Sequence, residues 1–249
     1  EMQRSLVGSE MCIRDRICVA RAIPPKRGEN GSISYRYEKK RVPKPQHDEF
    51  GVADFRELNL IVPIHKGDII ADIKQPTPGE PGVNIFGRAI MPEPGKMPNI
   101  TVGKNTLMTA DGKYIVSACD GHIMYGTGCF NVEDTVTVKS DLDISVGNID
   151  FFGDIYIKGN VMEGFSVKAG RSLKIEGTVF SADLSAGGDI TINGGAINSR
   201  IKSDANVKIG FCENTDIKAD GSVESAQFAF CSVFCYGELI AKGKTGVIT

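Results

Sequence analysis

Apolar positions repeat at a short period through the second half of the chain. An apolar, variable, apolar triplet recurs every 17 or 18 residues, and single apolar positions continue the series at a spacing of 16: Ile155–Ile157, Leu173–Ile175, Ile190–Ile192, Val207–Ile209, Val223 and Leu239. The spacing of two inside each triplet points both side chains to one face of a strand. Self-similarity at a fixed short period is typical of stacked solenoids. The pattern predicts an inward ladder across the coils: Ile157, Ile175, Ile192 and Ile209.

A second apolar column falls later in each repeat and predicts a second strand per coil. Its members keep the spacing of two: Val167/Ala169, Leu184/Ala186, Ile201/Ser203, Ile217/Ala219 and Val233/Cys235. Glycines between the columns are interpreted as corners that need a positive φ: Gly159, Gly170, Gly177, Gly187, Gly188, Gly194, Gly195 and Gly221. The predicted fold is all-β, with a single-stranded parallel β-helix of five to six rungs and about 16–18 residues per coil.

Residues 60–134 predict a separate, smaller β-rich module. Its short strand candidates are bounded by Gly or Pro: Leu60–Ile64, Asp68–Ile73, Ile115–Ala118 and His122–Tyr125. The pieces His65–Ile73 and Asp120–Ile123 resemble half-barrel segments of biotinyl and lipoyl carrier domains, which favours a small β-sandwich or half-barrel. The hairpin that carries the modified lysine in those domains is missing, so neither a carrier activity nor a cofactor is expected.

The segment Pro76–Arg88 is rich in proline and glycine and has two interpretations. Turn chemistry at a corner accounts for its composition. A partner-binding loop is the functional alternative.

Residues 1–59 are expected to contribute least to the fold. The peptide RSLVGSEMCIRDR at Arg4–Arg16 resembles a translated sequencing adapter, so residues 1–16 are interpreted as an artefact and the chain as a fragment. Residues 17–59 are interpreted as the end of an N-terminal region and a linker, with an edge-strand candidate at Ser32–Tyr37 and solvated charges at Lys39–Arg41. The predicted domains are therefore 17–59, 60–134 and the β-helix at 135–249.

Composition supports this fold class and narrows the function. The chain of 249 residues has 29 glycines and no tryptophan, which suits a turn-rich β protein. A net charge of -2 gives no bulk attraction to nucleic acid, and no apolar run reaches the ~18 to 20 residues of a spanning helix. Seven cysteines without a CxxC pair favour a reduced, cytoplasmic protein without a metal site, in which Cys235 is a small inward residue.

Polar residues on the predicted coils indicate no catalytic, cofactor-binding or metal site. From Gly153 onward there are ten Lys and Arg and eleven Asp and Glu, so no phosphate-binding stripe is expected. A column of polar side chains precedes each first strand. These side chains either hydrogen-bond the backbone or, in a polysaccharide lyase, converge on calcium: Asp154, Ser172, Asp189, Asn206 and Ser222.

A hexapeptide-repeat acyltransferase is the enzyme alternative. Five apolar residues fall at intervals of six, the spacing of that fold: Ile155, Val161, Val167, Leu173 and Val179. The register then breaks, because Leu184 comes one residue early. Such enzymes use a histidine base on the coils, whereas His47, His65 and His122 all lie upstream. His65 and His122 are expected at strand ends, in surface or hydrogen-bonded roles.

Several motifs in order carry a resemblance to one family. They are DFRELNLIVPIHKGDIIADIKQPTPGEPGVNIFGRAI at 54–90, VGKN at 102–105, ACDGHI at 118–123 and VGNIDFFGDIYIKGNVMEGFSVKAG at 146–170. The chain resembles the bacterial flagellar assembly protein A family from about Val19 to its end. The resemblance implies a cytosolic, non-enzymatic protein with an N-terminal globular region, a β-solenoid and a C-terminal helical segment.

The function expected from this resemblance is a structural or regulatory scaffold that works through protein–protein contacts or self-assembly. A β-helical acyltransferase or polysaccharide-processing enzyme is the alternative. No nucleic-acid partner and no membrane insertion is expected. Large apolar residues in the last full coil favour self-association through the C-terminal coil: Phe228, Phe230, Val233 and Phe234.

Overall fold

The computed structural model describes residues 21–38, 46–47, 53–54, 58, 60–126 and 128–243, with the backbone alone at 46–47 and 53–54. Strands and turns make up these residues, and no helix occurs among them. The chain forms two compact units, Glu1–Ser34 with Ile73–Ile100 and Tyr35–Asp72 with Thr101–Thr249. Segments 1–16 and Lys39–Arg41 and the side chain of His47 lie outside the described residues, and the domain boundaries read from the sequence stay a prediction.

The described residues up to Glu133 form eleven short strands. They are β1 (Ser32–Tyr35), β2 (Gln46–His47), β3 (Ala53–Asp54), β4 (Pro63–Ile64), β5 (Ile69–Lys74), β6 (Gly82–Val83), β7 (Ala89–Ile90), β8 (Thr106–Met108), β9 (Tyr114–Ser117), β10 (Gly121–Gly126) and β11 (Cys129–Glu133). The pairs β4–β10, β10–β11, β5–β9, β8–β9, β2–β3 and β6–β7 are all antiparallel. Antiparallel sheets therefore precede the solenoid, as predicted.

Alternation of side chains explains these strands, with one local exception. In β9 Ile115 and Ser117 are buried while the residues between them are partly exposed, which is the period of two of a half-buried strand. In β5 the neighbours Ile70 and Ala71 are both buried, because the pairing with β9 shifts register between Ile69 and Ala71. The strand candidate at 60–64 contracts to β4.

Fifteen strands between Thr135 and Ala241 build the solenoid. They are β12 (Thr135–Val138), β13 (Ile149–Phe151), β14 (Asp154–Ile157), β15 (Ser166–Ala169), β16 (Leu173–Ile175), β17 (Val179–Phe180), β18 (Asp183–Ala186), β19 (Ile190–Ile197), β20 (Arg200–Ser203), β21 (Val207–Glu213), β22 (Asp216–Ala219), β23 (Val223–Ser225), β24 (Phe228–Ala229), β25 (Ser232–Cys235) and β26 (Leu239–Ala241). One parallel sheet runs β12-β14-β16-β19-β21-β23-β26, and the other runs β13-β15-β18-β20-β22-β25. The parallel β-solenoid is confirmed.

The register fixes the length of each coil. Leu173 pairs with Ile155 eighteen residues before it and with Ile190 seventeen residues after it. Val207 lies seventeen residues beyond Ile190, and the next two coils take sixteen residues each. The predicted range of coil lengths is confirmed. A constant six-residue repeat does not persist beyond the first of these coils.

One continuous apolar core fills the solenoid. The predicted ladder of Ile157, Ile175, Ile192 and Ile209 lies in direct register, and each side chain is at most 2% exposed. The ladder is therefore confirmed. Removal of these side chains from water is the main favourable term for folding.

The corners differ from their interpretation in the sequence. Positive φ falls on a column that recurs once per coil: Gly147, Gly164, Ser181, Asn198, Asn214 and Phe230. The corner glycines named above have no positive φ, so that interpretation is wrong. They are needed because the backbone of the neighbouring coil comes too close for a side chain. A Cβ on Gly177 would lie 2.5 Å from the carbonyl oxygen of Gly159.

Replacing Ile192 with Asp tests the ladder. We expect the free energy of unfolding to fall by about 3 kcal/mol or more, because a carboxylate would be buried without a counter-charge. Denaturant titration followed by circular dichroism measures the loss. Thr191→Asp is the matched control, since Thr191 lies in the outward column between Lys174 and Lys208, and its effect should stay below about 1 kcal/mol. An unchanged midpoint for Ile192→Asp would contradict the register.

Candidate functional site

The outward face of the first parallel sheet carries charges that are neutralised within the protein. Glu224 forms ion pairs with Lys208 at 3.4 Å and Lys242 at 2.8 Å. The hydrogen bond from Lys242, with that from Lys208, holds the pKa of the Glu224 carboxyl below its ordinary value. On the same face the ammonium of Lys174 lies 5.3 Å from the centre of the Tyr156 ring. This face therefore offers little free charge to a ligand.

The outward face of the second parallel sheet forms a shallow groove of about 530 Å³. One column across it is Asp150, Lys168, Ser185, Lys202, Lys218 and Phe234, and the next is Ser166, Asp183, Arg200, Asp216 and Ser232. Lys168 approaches Asp150 at 4.0 Å and Arg200 approaches Asp183 at 3.6 Å. Both signs thus line the groove, unlike the single-sign stripe that phosphate binding favours.

The polar corner column joins successive coils by hydrogen bonds. Oδ1 of Asp154 accepts the backbone N–H of Ser172 at 3.0 Å. Oδ1 of Asp189 accepts that of Asn206 at 3.0 Å, and Oδ1 of Asn206 accepts that of Ser222 at 2.9 Å. The backbone-binding interpretation of this column is confirmed. Within the described ranges no group of three His, Cys, Asp or Glu side chains is placed to hold a metal ion.

A cleft of about 600 Å³ lies between β10 and the strands of the first coil. Its walls are mostly apolar and include Ile61, Ile123, Val136, Val138, Val146 and Ile149. Its charged groups include Lys139 and the Asp150–Lys168 pair, and His122 supplies an imidazole. No hydrogen bond joins this imidazole to a hydroxyl or carboxylate in the described lining. The cleft is a binding volume rather than an acid–base pair.

His122 lies in the core beside this cleft. Its side chain is 6% exposed, and its ring meets Phe151 edge-on with the ring centres 5.6 Å apart. Nδ1 has no hydrogen-bond partner among the described residues. Burial lowers the pKa of this imidazole, and the nearby Glu133 partly offsets that effect. The surface or hydrogen-bonded role expected for His122 is wrong for Nδ1, because Phe151 of the solenoid packs against the ring.

His65 has the surface role that its sequence position predicts. Its exposed ring stacks on Phe152 with the centres 5.1 Å apart, and Nδ1 lies 3.4 Å from a carboxylate oxygen of Asp120. The backbone N–H of Lys66 is the main cause that lowers the pKa of the Asp120 carboxyl. This arrangement fixes a surface turn and holds no nucleophile.

The segment Pro76–Arg88 contains an ordered hairpin, β6–β7. Oδ1 of Asn84 accepts the backbone N–H groups of Phe86 and Arg88, both at 2.9 Å, which fixes the turn. The tip presents Ile85 and Phe86, which are 57% and 79% exposed. The sequence indicated turn chemistry here, but it did not indicate that a rigid turn would display two large apolar side chains.

Comparison with known families follows the division between the antiparallel part and the solenoid. A family model described as Flagellar Assembly Protein A beta solenoid domain matches residues 134–249. A second, described as Flagellar Assembly Protein A N-terminal region, matches residues 5–128. The chain belongs to the Flagellar Assembly Protein A family. No curated protein matches the chain, and no solved structure does.

Membership of the Flagellar Assembly Protein A family confirms the resemblance drawn from the motifs. The solenoid match begins one residue before β12. None of the described residues forms a helix of the length and apolar character needed to cross a bilayer. Burial raises the pKa of the Cys212 thiol to about 12, so this sulfur is not a thiolate nucleophile at neutral pH. Cys235 packs, half-buried, against the solenoid core.

The buried His122 predicts a pH-dependent stability. Its pKa is lower in the folded protein than in the unfolded chain, where it is about 6.5, so the unfolded chain binds more protons below that pH. The free energy of unfolding should therefore fall as the pH drops from about 7.5 to 5. His122→Leu should flatten the fall, measured by urea denaturation. The control Met124→Leu, at an exposed neighbour, should keep it, and an unchanged profile for His122→Leu would contradict this role.

Proposed function

We propose that this Flagellar Assembly Protein A member is a non-enzymatic structural or regulatory scaffold that acts in the cytoplasm through protein–protein contacts. The observation that carries the proposal is the solenoid, whose two parallel sheets share one core from Val136 to Phe228. A stack in which each coil contacts its neighbours presents long, regular faces to partners. Such faces suit a protein that holds other components of an assembly.

A β-helical enzyme remains the alternative of a different class. It requires a base beside a nucleophile on the coils. The two described histidine side chains, His65 and His122, precede the solenoid. The carboxylates of Asp154 and Asp189 in the corner column accept backbone hydrogen bonds. No specific observation favours this alternative over the scaffold.

The C-terminal coil supports self-association as one of the contacts. β25 and β26 border their sheets, so one side of each pairs with no other described strand. Unpaired strand edges add further strands readily. Exposed apolar side chains lie on the same coil: Phe230, Phe234, Tyr236 and Leu239. A second copy of the chain would pair with these edges and cover these side chains.

Light scattering over a concentration series tests this contact. The apparent mass should rise with concentration, and Leu239→Asp should reduce the rise because it places a charge on the proposed interface. Ile144→Asp is the control, since Ile144 is 63% exposed on the first coil, away from β26. A monomeric mass at every concentration would contradict self-association.

The amount of protein that a cell needs distinguishes a scaffold from an enzyme. The gene is placed under a titratable promoter in its host bacterium, and flagella per cell are counted by electron microscopy. A scaffold acts by stoichiometric contact, so the count should fall as the protein level falls. An enzyme turns over many times, so normal flagellation at about a tenth of the native level would contradict the scaffold.

A further inference from the structure

The first compact unit turns its large apolar side chains outward. In its described part, 21–34 and 73–100, Ile73 is the one buried apolar side chain. Six others are at least 37% exposed: Ile23, Val83, Ile85, Phe86, Met91 and Met97. Exposed apolar patches on a small unit mark a contact surface, because water is expelled when a partner covers them.

Part of this set forms one face of a three-stranded ribbon. Ile23 and Val83 exchange backbone hydrogen bonds of 2.8 Å, and Val83 lies opposite Ala89 in the β6–β7 hairpin. Residues directly opposite in antiparallel strands share a face. Met91 follows Ala89 by two positions in extended chain and continues that face. We call Ile23, Val83, Ala89 and Met91, with Phe86 at the rigid tip, the apolar ribbon.

The charges of this unit leave a positive excess beside the apolar ribbon. Each of its described carboxylates already has a cation: Glu80 with Lys26 at 2.7 Å, Glu93 with Arg27 at 3.6 Å, and Glu29 with Lys74 at 3.0 Å. Three further cations form no ion pair with a described residue: Arg21, Arg88 and Lys96. Arg88 directly precedes Ala89, so one free charge adjoins the ribbon. The chain as a whole has a net charge of -2.

We propose that the apolar ribbon is the docking surface for an acidic protein segment that also carries apolar side chains. The proposal rests on the proposed function, a scaffold with protein contacts, and it names one contact surface and its partner's chemistry. The partner's apolar groups would cover Val83, Phe86 and Met91. Its carboxylates would pair with Arg88 and its neighbouring free cations, which steers association and fixes register.

An acidic protein segment fits this surface better than an anionic membrane. Glu80 lies at the start of the ribbon's second strand, and Glu93 follows Met91 by two residues. A continuous layer of lipid phosphates would press against both carboxylates. A protein segment can place its acidic groups opposite Arg88 alone and leave Glu80 and Glu93 in water.

Fluorescence anisotropy on the full chain tests the proposal. The probe is a labelled synthetic peptide in which glutamate and leucine alternate, and the matched probe has lysine in place of glutamate. The acidic peptide should bind saturably, and more weakly at high salt. Phe86→Asp and Arg88→Glu should each weaken binding by about tenfold or more. Leu107→Asp, at a 58% exposed position of the other unit, should leave binding unchanged.

Three results would overturn the proposal. Equal binding of the lysine peptide would indicate apolar adhesion without charge recognition. Binding to phosphatidylserine vesicles in preference to the acidic peptide would indicate a membrane surface. Unchanged binding by both Phe86→Asp and Arg88→Glu, with native circular dichroism, would place the contact elsewhere. Flagellar number that still falls with protein level would then leave the scaffold intact and remove this surface from it.

Discussion

The solenoid depends on one constraint, which is that a single coil is not stable by itself. Ordering one coil of 16 to 18 residues costs more conformational entropy than its few inward side chains recover by leaving water. Neighbouring coils supply the difference through ladder hydrogen bonds in two sheets and through stacked side chains, such as Ile175 on Ile192. Each coil therefore has to place its apolar residues where the next coil places its own. The repeat in the sequence is the record of that requirement.

The corners obey the same constraint by other means. Where no strand ladder runs, side chains reach from coil to coil, as Asp189 does to the backbone N–H of Asn206. Glycine recurs where the backbones of successive coils approach most closely, as at Gly177 beside Gly159. Length differences between coils are taken up at these corners. The coils can thus shorten from 18 residues to 16 while the paired strands stay in register.

The periodic part of this structure could be predicted from the sequence, and the non-periodic part could not. The spacing of two in Leu173–Ile175 encodes which side chains face inward, and the recurrence encodes the stacking. The burial of His122 depends on Phe151, a residue of another element, so no local pattern reveals it. The display of Phe86 depends on how Asn84 closes a turn. Segments rich in Gly and Pro announce a turn without saying which side chain it exposes.

Amide hydrogen exchange of the full chain, read by mass spectrometry, tests the central claim most directly. If the coils stabilise one another, the amides of β16, β19 and β21 should exchange slowly and at a shared rate, because a cooperative opening is needed to expose them. The amides of the β6–β7 hairpin, which lies in a unit with a single buried apolar side chain in its described part, should exchange much faster. Central coils that exchange at unrelated rates, or as fast as the hairpin, would contradict the account.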